Sequence, residues 1–307
     1  MIFNRESFEL ILEGEASRRD YIVLSDGERL LKELNPGAGS GKGKNSCVFR
    51  ASVPDEDVGD VIVKFCCYPE GVLGEDEVRK RARFMREIKA LIKASEAQLG
   101  SFLIQYYEHG THLVNGSKFD YYVMEKAECD LSDYLEKNRL PLQQKLVLCR
   151  SLLNDLVALH KLGIYHRDLK PDNVFFVGEQ WKIGDLGFIM NRDEDVEIDG
   201  QRERIGPTGL MSPEAINKAY ANLENSEFIH DCEFCDLSDV FLLGGVFWYI
   251  LQGNFPIGQV TKEDFKIGRE DIFNSILVPM LQHAKTRRLT LPDVGTEFEK
   301  LTQEFAL

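Results

Sequence analysis

At 307 residues, with 43% hydrophobic and 29% charged side chains, the sequence has the apolar content for one large or two smaller cores, which excludes a disordered chain. Its 51 acidic against 37 basic residues give a formal charge of −14, which argues against a protein whose main task is to coat nucleic acid. The start, MIFNRESFEL, has no basic segment leading into an apolar run, the longest apolar stretch (Val240 to Leu251) is too short for a bilayer, and seven cysteines lack framework spacing; together these predict a soluble, cytoplasmic protein without a membrane span.

In chain order, the first third reads as strand-rich, with LLKEL, CVFRASV, DVIVKFCCY and KFDYYVMEK as short β-branched or aromatic runs between Gly, Pro and Asp. Residues 1 to 29 carry no feature to which a function attaches. The stretch GAGSGKGK (37 to 44) reads as a phosphate cradle or a flexible linker. It fits neither G-x-x-x-x-G-K-[ST] nor, in full, G-x-G-x-x-G, because Gly41-x-Gly43 runs on to Ser46. From about Glu75 to Ala97, Val78, Phe84, Ile88, Leu91 and Ile92 recur at helical spacing and predict one strong helix. After Cys129 the pattern becomes mainly helical, in LSDYLEKN, LQQKLVLCRSLLNDLVALHKLG, SDVFLLGGVFWYILQG and REDIFNSILVPMLQHA. The polar stretches 191–204 and 217–236 are predicted loops. Within the second, His230, Cys232 and Cys235 supply only three neighbouring metal-ligand types, which favours a plain loop over a zinc knuckle.

The run YHRDLKPDNVFF (165 to 176), followed by KIGDLG (182 to 187), resembles the catalytic core of a eukaryotic-type protein kinase, with His166-Arg167-Asp168, Asn173 and Asp185-Leu186-Gly187 in the family's order. The resemblance implies an α+β, bilobal protein kinase fold: a small antiparallel sheet lobe with one helix and a larger, mainly helical lobe. The expected organisation is an N-terminal extension (1–29), an N-lobe (30–126) and a C-lobe (127–307). It implies an ATP-dependent serine/threonine protein kinase that uses ATP and Mg²⁺ and acts on a protein substrate, with Asp168 as base, Lys170 facing the transferred phosphate, and Asn173 and Asp185 as metal ligands. Lys170, within Asp-Leu-Lys-Pro, is similar to the serine/threonine branch. Asp168 and Asp185 are expected as solvent-side charges. Two other classes stay open, a catalytically dead scaffold and a small-molecule kinase; the first usually lacks one of Lys64, Asp168 and Asp185, and the second generally lacks Lys170 and Ser212-Pro213-Glu214.

The same resemblance carries over to further positions. MSPEA places Ser212-Pro213-Glu214 at the end of the activation segment, with Arg288 or Arg287 as the ion-pair partner of Glu214, and Asp239 beneath the catalytic-loop backbone. DVIVKF puts Lys64 on the third strand, facing the α and β phosphates, with Ile62 on the same strand and Glu87 as an exposed ion-pair partner. Counting back from Lys64 along two antiparallel strands sets the glycine loop as Gly41-x-Gly43-x-x-Ser46-x-Val48, leaving Gly37 and Gly39 as a lead-in. Met124 resembles the gatekeeper, Glu125 and Ala127 the backbone contacts to adenine, Val48 and Phe175 the residues against its faces, and Asp130 a ribose contact. In GPTGLM, Leu210 stands where the family commonly has Tyr. Arg167 resembles the arginine that waits for an activation-segment phosphate, yet Phe188 to Pro207 contain no Ser, Thr or Tyr. Two readings of Asp193, Glu194, Asp195, Glu197 and Asp199 stay open, as carboxylates in the phosphate's place or as a solvated loop, with Thr208 the nearby hydroxyl.

Overall fold

The computed structural model describes residues 1–14, 17–34, 41–43, 45–54, 59–71, 74–192, 198–200, 202–207, 209–220 and 230–305. The chain divides into two compact units, one of residues 1–100 and 104–126, the other of 101–103 and 127–307.

The first unit is built on an antiparallel sheet. After a small hairpin of β1 (Ile2–Asn4) and β2 (Glu9–Ile11), the strands β3 (Tyr21–Leu24), β4 (Gly27–Glu33), β6 (Ser46–Ser52), β7 (Val61–Cys66), β9 (Ser117–Glu125) and β8 (Tyr106–Val114) lie side by side in that order, and β5 (Gly41–Gly43) pairs with β6. Strand periodicity sends alternate side chains to opposite faces. Phe49 and Phe65 stack edge-on at 5.9 Å on one face, while Ile62, Lys64 and Tyr122 share the other. Residues 1 to 29 pack onto this unit. Phe3 meets Phe119 at 4.8 Å, Phe8 meets Tyr68 at 5.2 Å, and buried Asp20 accepts the Gly14 N–H at 2.7 Å and the Met1 amine. Helix α1 (Glu75–Glu96) opens with Glu75, Asp76 and Glu77 at its positive end and buries Phe84, Ile88 and Leu91. Its inner face also buries Arg83, Arg86 and Glu87, which sequence periodicity alone assigns to the solvent side.

The second unit is mainly helical. A three-stranded sheet orders β10 (Cys129–Asp130), β12 (Val174–Val177) and β13 (Gln180–Ile183), and a two-stranded one joins β11 (Ile164–Tyr165) to β14 (Met190–Asn191). Around them stand α2 (Leu131–Lys137), α3 (Leu142–Lys161), α4 (Pro213–Tyr220), α5 (Asp236–Gln252) and a C-terminal helix, Leu291–Phe305. The predicted loop 217–236 is corrected at its start, where Ala215 and Ala219, four apart, bury one side of α4 through Tyr220. At its end Cys235 forms the N-cap of α5 together with Ser238, so this thiol serves the helix start. Among the described residues no group of three or more His, Cys, Asp or Glu side chains is placed to hold a metal ion.

Helix α5 is apolar on all sides and almost wholly buried. Its Gly244-Gly245 pair is set by close approach: a Cβ on Gly245 would stand 2.5 Å from Leu210 Cδ1, and one on Gly244 2.9 Å from Met280 Cβ. Leu210 therefore closes the end of the preceding loop onto the central helix. Among the described residues no helix is long and apolar enough to cross a membrane.

Candidate active site

The candidate site residues fall into two groups, one on each unit. On the sheet unit, β5 and β6 form a hairpin in which Gly41 faces Val48 and Gly43 faces Ser46, and Val48 in turn lies directly opposite Lys64 on β7. Gly37 and Gly39 lie outside the described residues. Pairing of Ile62 with Met124 and of Lys64 with Tyr122 puts Val48, Ile62, Lys64, Tyr122 and Met124 on one sheet face. Glu125 ends β9, exchanging bonds with Gln105, whose N–H meets its Oε1 at 2.6 Å.

Lys64 Nζ lies 2.8 Å from Glu87 Oε1, and the Tyr122 hydroxyl donates to the same oxygen at 2.9 Å. The pair is buried, with Lys64 6% and Glu87 1% exposed, which corrects the expectation of an exposed ion pair. The cause is the register: Lys64 points to the face covered by α1. Tyr122 was not singled out from sequence, because its place depends on which strand pairs with β7.

On the helical unit, the segment from His166 to Asn173 joins β11 to β12 and is held from below by Asp239 in the first turn of α5. Its carboxylate accepts the backbone N–H of His166 at 2.6 Å and of Arg167 at 2.7 Å, and meets His160 Nε2 at 2.9 Å. Burial opposes the charge on Asp239, but His160, His166 and the Arg167 N–H outweigh it, and the carboxyl lies below its ordinary range. His166, fully buried, accepts the Asp168 N–H at Nδ1 (3.2 Å) and donates from Nε2 to the Gly184 carbonyl (3.0 Å), which ties this segment to the Asp185-Leu186-Gly187 turn.

Asp168 is 3% exposed, not the solvent-side charge expected of it. Burial raises its pKa, with the nearby Asp185 adding to the effect and Lys170 and His166 opposing it. Lys170 Nζ stands 3.3 Å from Asp168 Oδ2, and the Asn173 amide nitrogen donates to Asp168 Oδ2 at 3.0 Å and to its carbonyl at 2.8 Å. With the amide nitrogen so engaged, the other end of Asn173 is the acceptor Oδ1. Asp185 is exposed. Two hard oxygen donors in adjoining turns fit a magnesium ion's preference. Asp185 and Arg167 both hold positive φ, 54° and 65°, a conformation that non-glycine residues adopt at a cost and that clusters at functional turns.

The other site candidates of this unit sit close in sequence to that segment. Phe175 on β12 pairs with Asp130 and with Lys182; Asp130 is the N-cap of α2, accepting the Asp133 N–H at 2.8 Å, and Ala127 immediately precedes this sheet. Glu214 binds Arg288 at 3.1 Å, which settles the choice against Arg287; Arg288 also donates to the carbonyls of Leu237, Gln282 and His283.

Arg167 is fully buried, and each of its three guanidinium nitrogens donates a hydrogen bond. Its Nε donates to the Phe188 carbonyl at 2.6 Å, Nη1 to Asp199 Oδ2 at 2.5 Å, and Nη2 to the Ile189 carbonyl at 3.1 Å and Asp199 Oδ1 at 3.4 Å. Its guanidinium lies 5.1 Å from the centre of the Phe234 ring, in an apolar cluster with Ile205 and Ala215 that Phe188, Met190 and Met211 complete. Asp193 to Glu197 and Thr208 lie outside the described residues.

Residues 38–304 match the model of the protein kinase domain. Among curated proteins, the chain is 28% identical over 196 residues to mouse (Mus musculus) dual specificity protein kinase TTK, covering 58% of this chain and 22% of that protein. It is 28% identical over 191 residues to the serine/threonine-protein kinase/endoribonuclease IRE1 of Oryza sativa subsp. japonica, covering 54% and 20%. The serine/threonine-protein kinase pkn2 of Myxococcus xanthus is 29% identical over 190 residues, covering 60% and 20%. The aligned part spans about a fifth of the length of each of these relatives. With the family's domain matched over most of its length, and a sheet-rich unit followed by a helical one, the chain belongs to the eukaryotic-type protein kinase superfamily.

Proposed function

We propose that this chain is an ATP-dependent protein kinase that transfers a phosphoryl group to serine or threonine hydroxyls of a protein substrate. The observation that carries the reading is the cluster in the helical unit where buried Asp168 has Lys170 at 3.3 Å and Asn173 at 3.0 Å, with its pKa raised by burial. A carboxylate of raised basicity is suited to accept a hydroxyl proton, and its bond to Asn173 fixes its direction. Lys170, half-buried and flexible, brings a positive charge to the place where negative charge passes between oxygens. Asn173 Oδ1 and Asp185 would hold Mg²⁺, which when bound offsets phosphate charge.

Lys64, held by Glu87 and Tyr122, presents an oriented ammonium to the nucleotide's α and β phosphates. Gly41 and Gly43 lack side chains and let backbone N–H groups approach phosphate closely, with Ser46 in the loop's third position. Val48, Ile62, Met124 and Phe175 supply apolar surface for adenine, the backbone of Glu125 and Ala127 supplies its edge contacts, and Asp130 is assigned to the ribose. Retention of Lys64, Asp168 and Asp185 favours an active enzyme over a dead scaffold. Lys170 together with the Glu214 and Arg288 pair favours a protein substrate over a small molecule. Lys170 also favours serine and threonine, while the dual-specificity relative keeps tyrosine among the acceptors to be assayed. Seven free cysteines suit a reducing, cytoplasmic setting.

The test is transfer from labelled ATP with Mg²⁺, to the chain itself and to a generic basic protein, followed by acid hydrolysis to identify the phosphorylated residue type. Transfer to Ser or Thr is expected, with Asp168→Ala slowing it about 10²- to 10⁴-fold at unchanged circular dichroism. Full activity in Asp168→Ala, or phosphate on Tyr alone, overturns the reading.

A further inference from the structure

At position 122 strand β9 faces helix α1, and the buried Tyr122 ring packs on Phe84 with centroids 5.5 Å apart and planes 33° from parallel. Phenylalanine would serve that packing equally well, so the hydroxyl answers to something else. It donates to Glu87 Oε1 at 2.9 Å, the same oxygen that meets Lys64 Nζ at 2.8 Å. Lys64 Nζ in turn stands 5.7 Å from the centre of the Tyr122 ring.

One side chain thus touches both members of the ion pair and a neighbouring turn of α1. Phe84 and Glu87 are three apart and share a face of the helix, so Tyr122 holds α1 at two points. Glu87 and Lys64 are both long and flexible, and an ion pair between such side chains defines a distance better than a direction. A phenol ring has few rotatable bonds, and Tyr122 lies directly opposite Lys64 in the pairing of β7 with β9. The ammonium and the group that directs its partner are therefore carried by one piece of sheet.

We propose that Tyr122 is a positioning residue for phosphoryl transfer: its hydroxyl clamps Glu87, and α1 with it, in the place from which Glu87 directs the Lys64 ammonium. The inference rests on the reading of Lys64 as the partner of the nucleotide's α and β phosphates. It adds that the pair is held assembled in the chain without nucleotide, by a donor on the sheet rather than by the ligand. Two donors on one carboxylate oxygen restrict its rotation more than one does, and orientation of this kind is what a transfer step gains from.

The test uses Tyr122→Phe, which keeps the ring and removes the donor, in the full chain and again in a Glu87→Ala background. In Tyr122→Phe, kcat/KM for ATP should fall about three- to tenfold, while KM for a basic protein substrate changes less than about twofold. With Glu87 replaced by alanine, the same substitution should change kcat/KM for ATP less than about twofold. Hydrogen exchange without nucleotide gives a second readout: the α1 amides from Phe84 to Leu91 should exchange about three- to tenfold faster in Tyr122→Phe, while those of β7 and β9 keep their rates. A residue that merely packs would loosen helix and sheet together and leave the nucleotide step alone. An unchanged kcat/KM for ATP, an undiminished effect in the Glu87→Ala background, or exchange that rises equally in α1 and β9 each overturn the proposal. A wild type that transfers no phosphate sinks the kinase reading instead, and the exchange comparison then decides the clamp, which unchanged α1 rates overturn.

Discussion

The first turn of α5 and the inner face of α3 each bury an aspartate, and the two carboxyls are displaced in opposite directions. Asp239, wholly buried, receives two backbone N–H groups and His160, and its pKa lies below the ordinary range. Asp155, buried almost as fully, has no hydrogen-bond partner at Oδ2 among the described residues and is pushed up to about 8. Burial opposes the charge in both; the donors decide the outcome. A carboxylate at the start of a helix also lies at the positive end of the macrodipole, a position Asp155 in mid-helix does not have.

The largest effect should come from breaking the satisfied member. Asp239→Leu leaves the N–H groups of His166 and Arg167 without acceptors, and a loss of about 3 to 5 kcal/mol in denaturant unfolding is expected, with the proposed phosphoryl transfer lost as the His166 to Asn173 segment loosens. The pH dependence has a definite sign. A carboxyl whose folded pKa is depressed contributes stability above its unfolded value of 3.8, and that contribution is lost as pH falls through the lower, folded value. The wild type should therefore lose stability below about pH 4 more steeply than Asp239→Leu.

The second prediction concerns the unsatisfied member and runs the other way. With its folded pKa raised to about 8, Asp155 holds a proton that the unfolded chain releases above 3.8, so its contribution to stability falls as pH rises between those values. Asp155→Asn should remove that slope and raise Tm by roughly 2 to 6 °C at pH 8, with a smaller gain at pH 5. A Tm that drops at both values would show that the carboxyl has a structural partner.

What the sequence discloses follows the same division between local and long-range causes. The helix from Glu75 and the alignment of Val48 with Lys64 were legible, because helical periodicity and a two-strand count are local properties. Strand β8 was not, since YYEHGTHLV turns Tyr107 and Leu113 outward while Glu108 and His112 lie on the half-buried side, which inverts the expected polar-out alternation. The burial of Arg83 and Arg86 was hidden because a charged residue on a helix is read as solvent-facing until its partners are known, and the pairing of Glu87 with Lys64 was foreseen but not its burial. Tyr122 and His160 were missed for one reason: each acts on a residue that only strand pairing or helix packing brings near. Asp199 was one of five acids between positions 193 and 199, and chain folding alone singles it out as the partner of Arg167.

The smallest effect concerns that acid. Arg167 sits beside Asp168, the proposed base, with all three guanidinium nitrogens engaged, Nη1 and Nη2 by Asp199, and Nε and Nη2 by the carbonyls of Phe188 and Ile189. A buried arginine needs an anion, and here the chain supplies one without modification: between Phe188 and Pro207 there is no hydroxyl to phosphorylate. A carboxylate carries less charge than a phosphate, but two-pronged contact with a planar guanidinium recovers geometry. The apolar anchors Phe188, Met190 and Ile205 add to the hold on the segment, so the ion pair is one contribution among several. Protein treated with phosphatase should transfer phosphate from the first turnover without a lag. Asp199→Asn, which keeps the shape and removes the charge, should lower kcat roughly three- to tenfold, about 1 kcal/mol, and Arg167→Ala in the Asp199→Asn background should add little. A lag that phosphorylation abolishes, or an Asp199→Asn rate equal to the wild type, would show that the segment is ordered by other means.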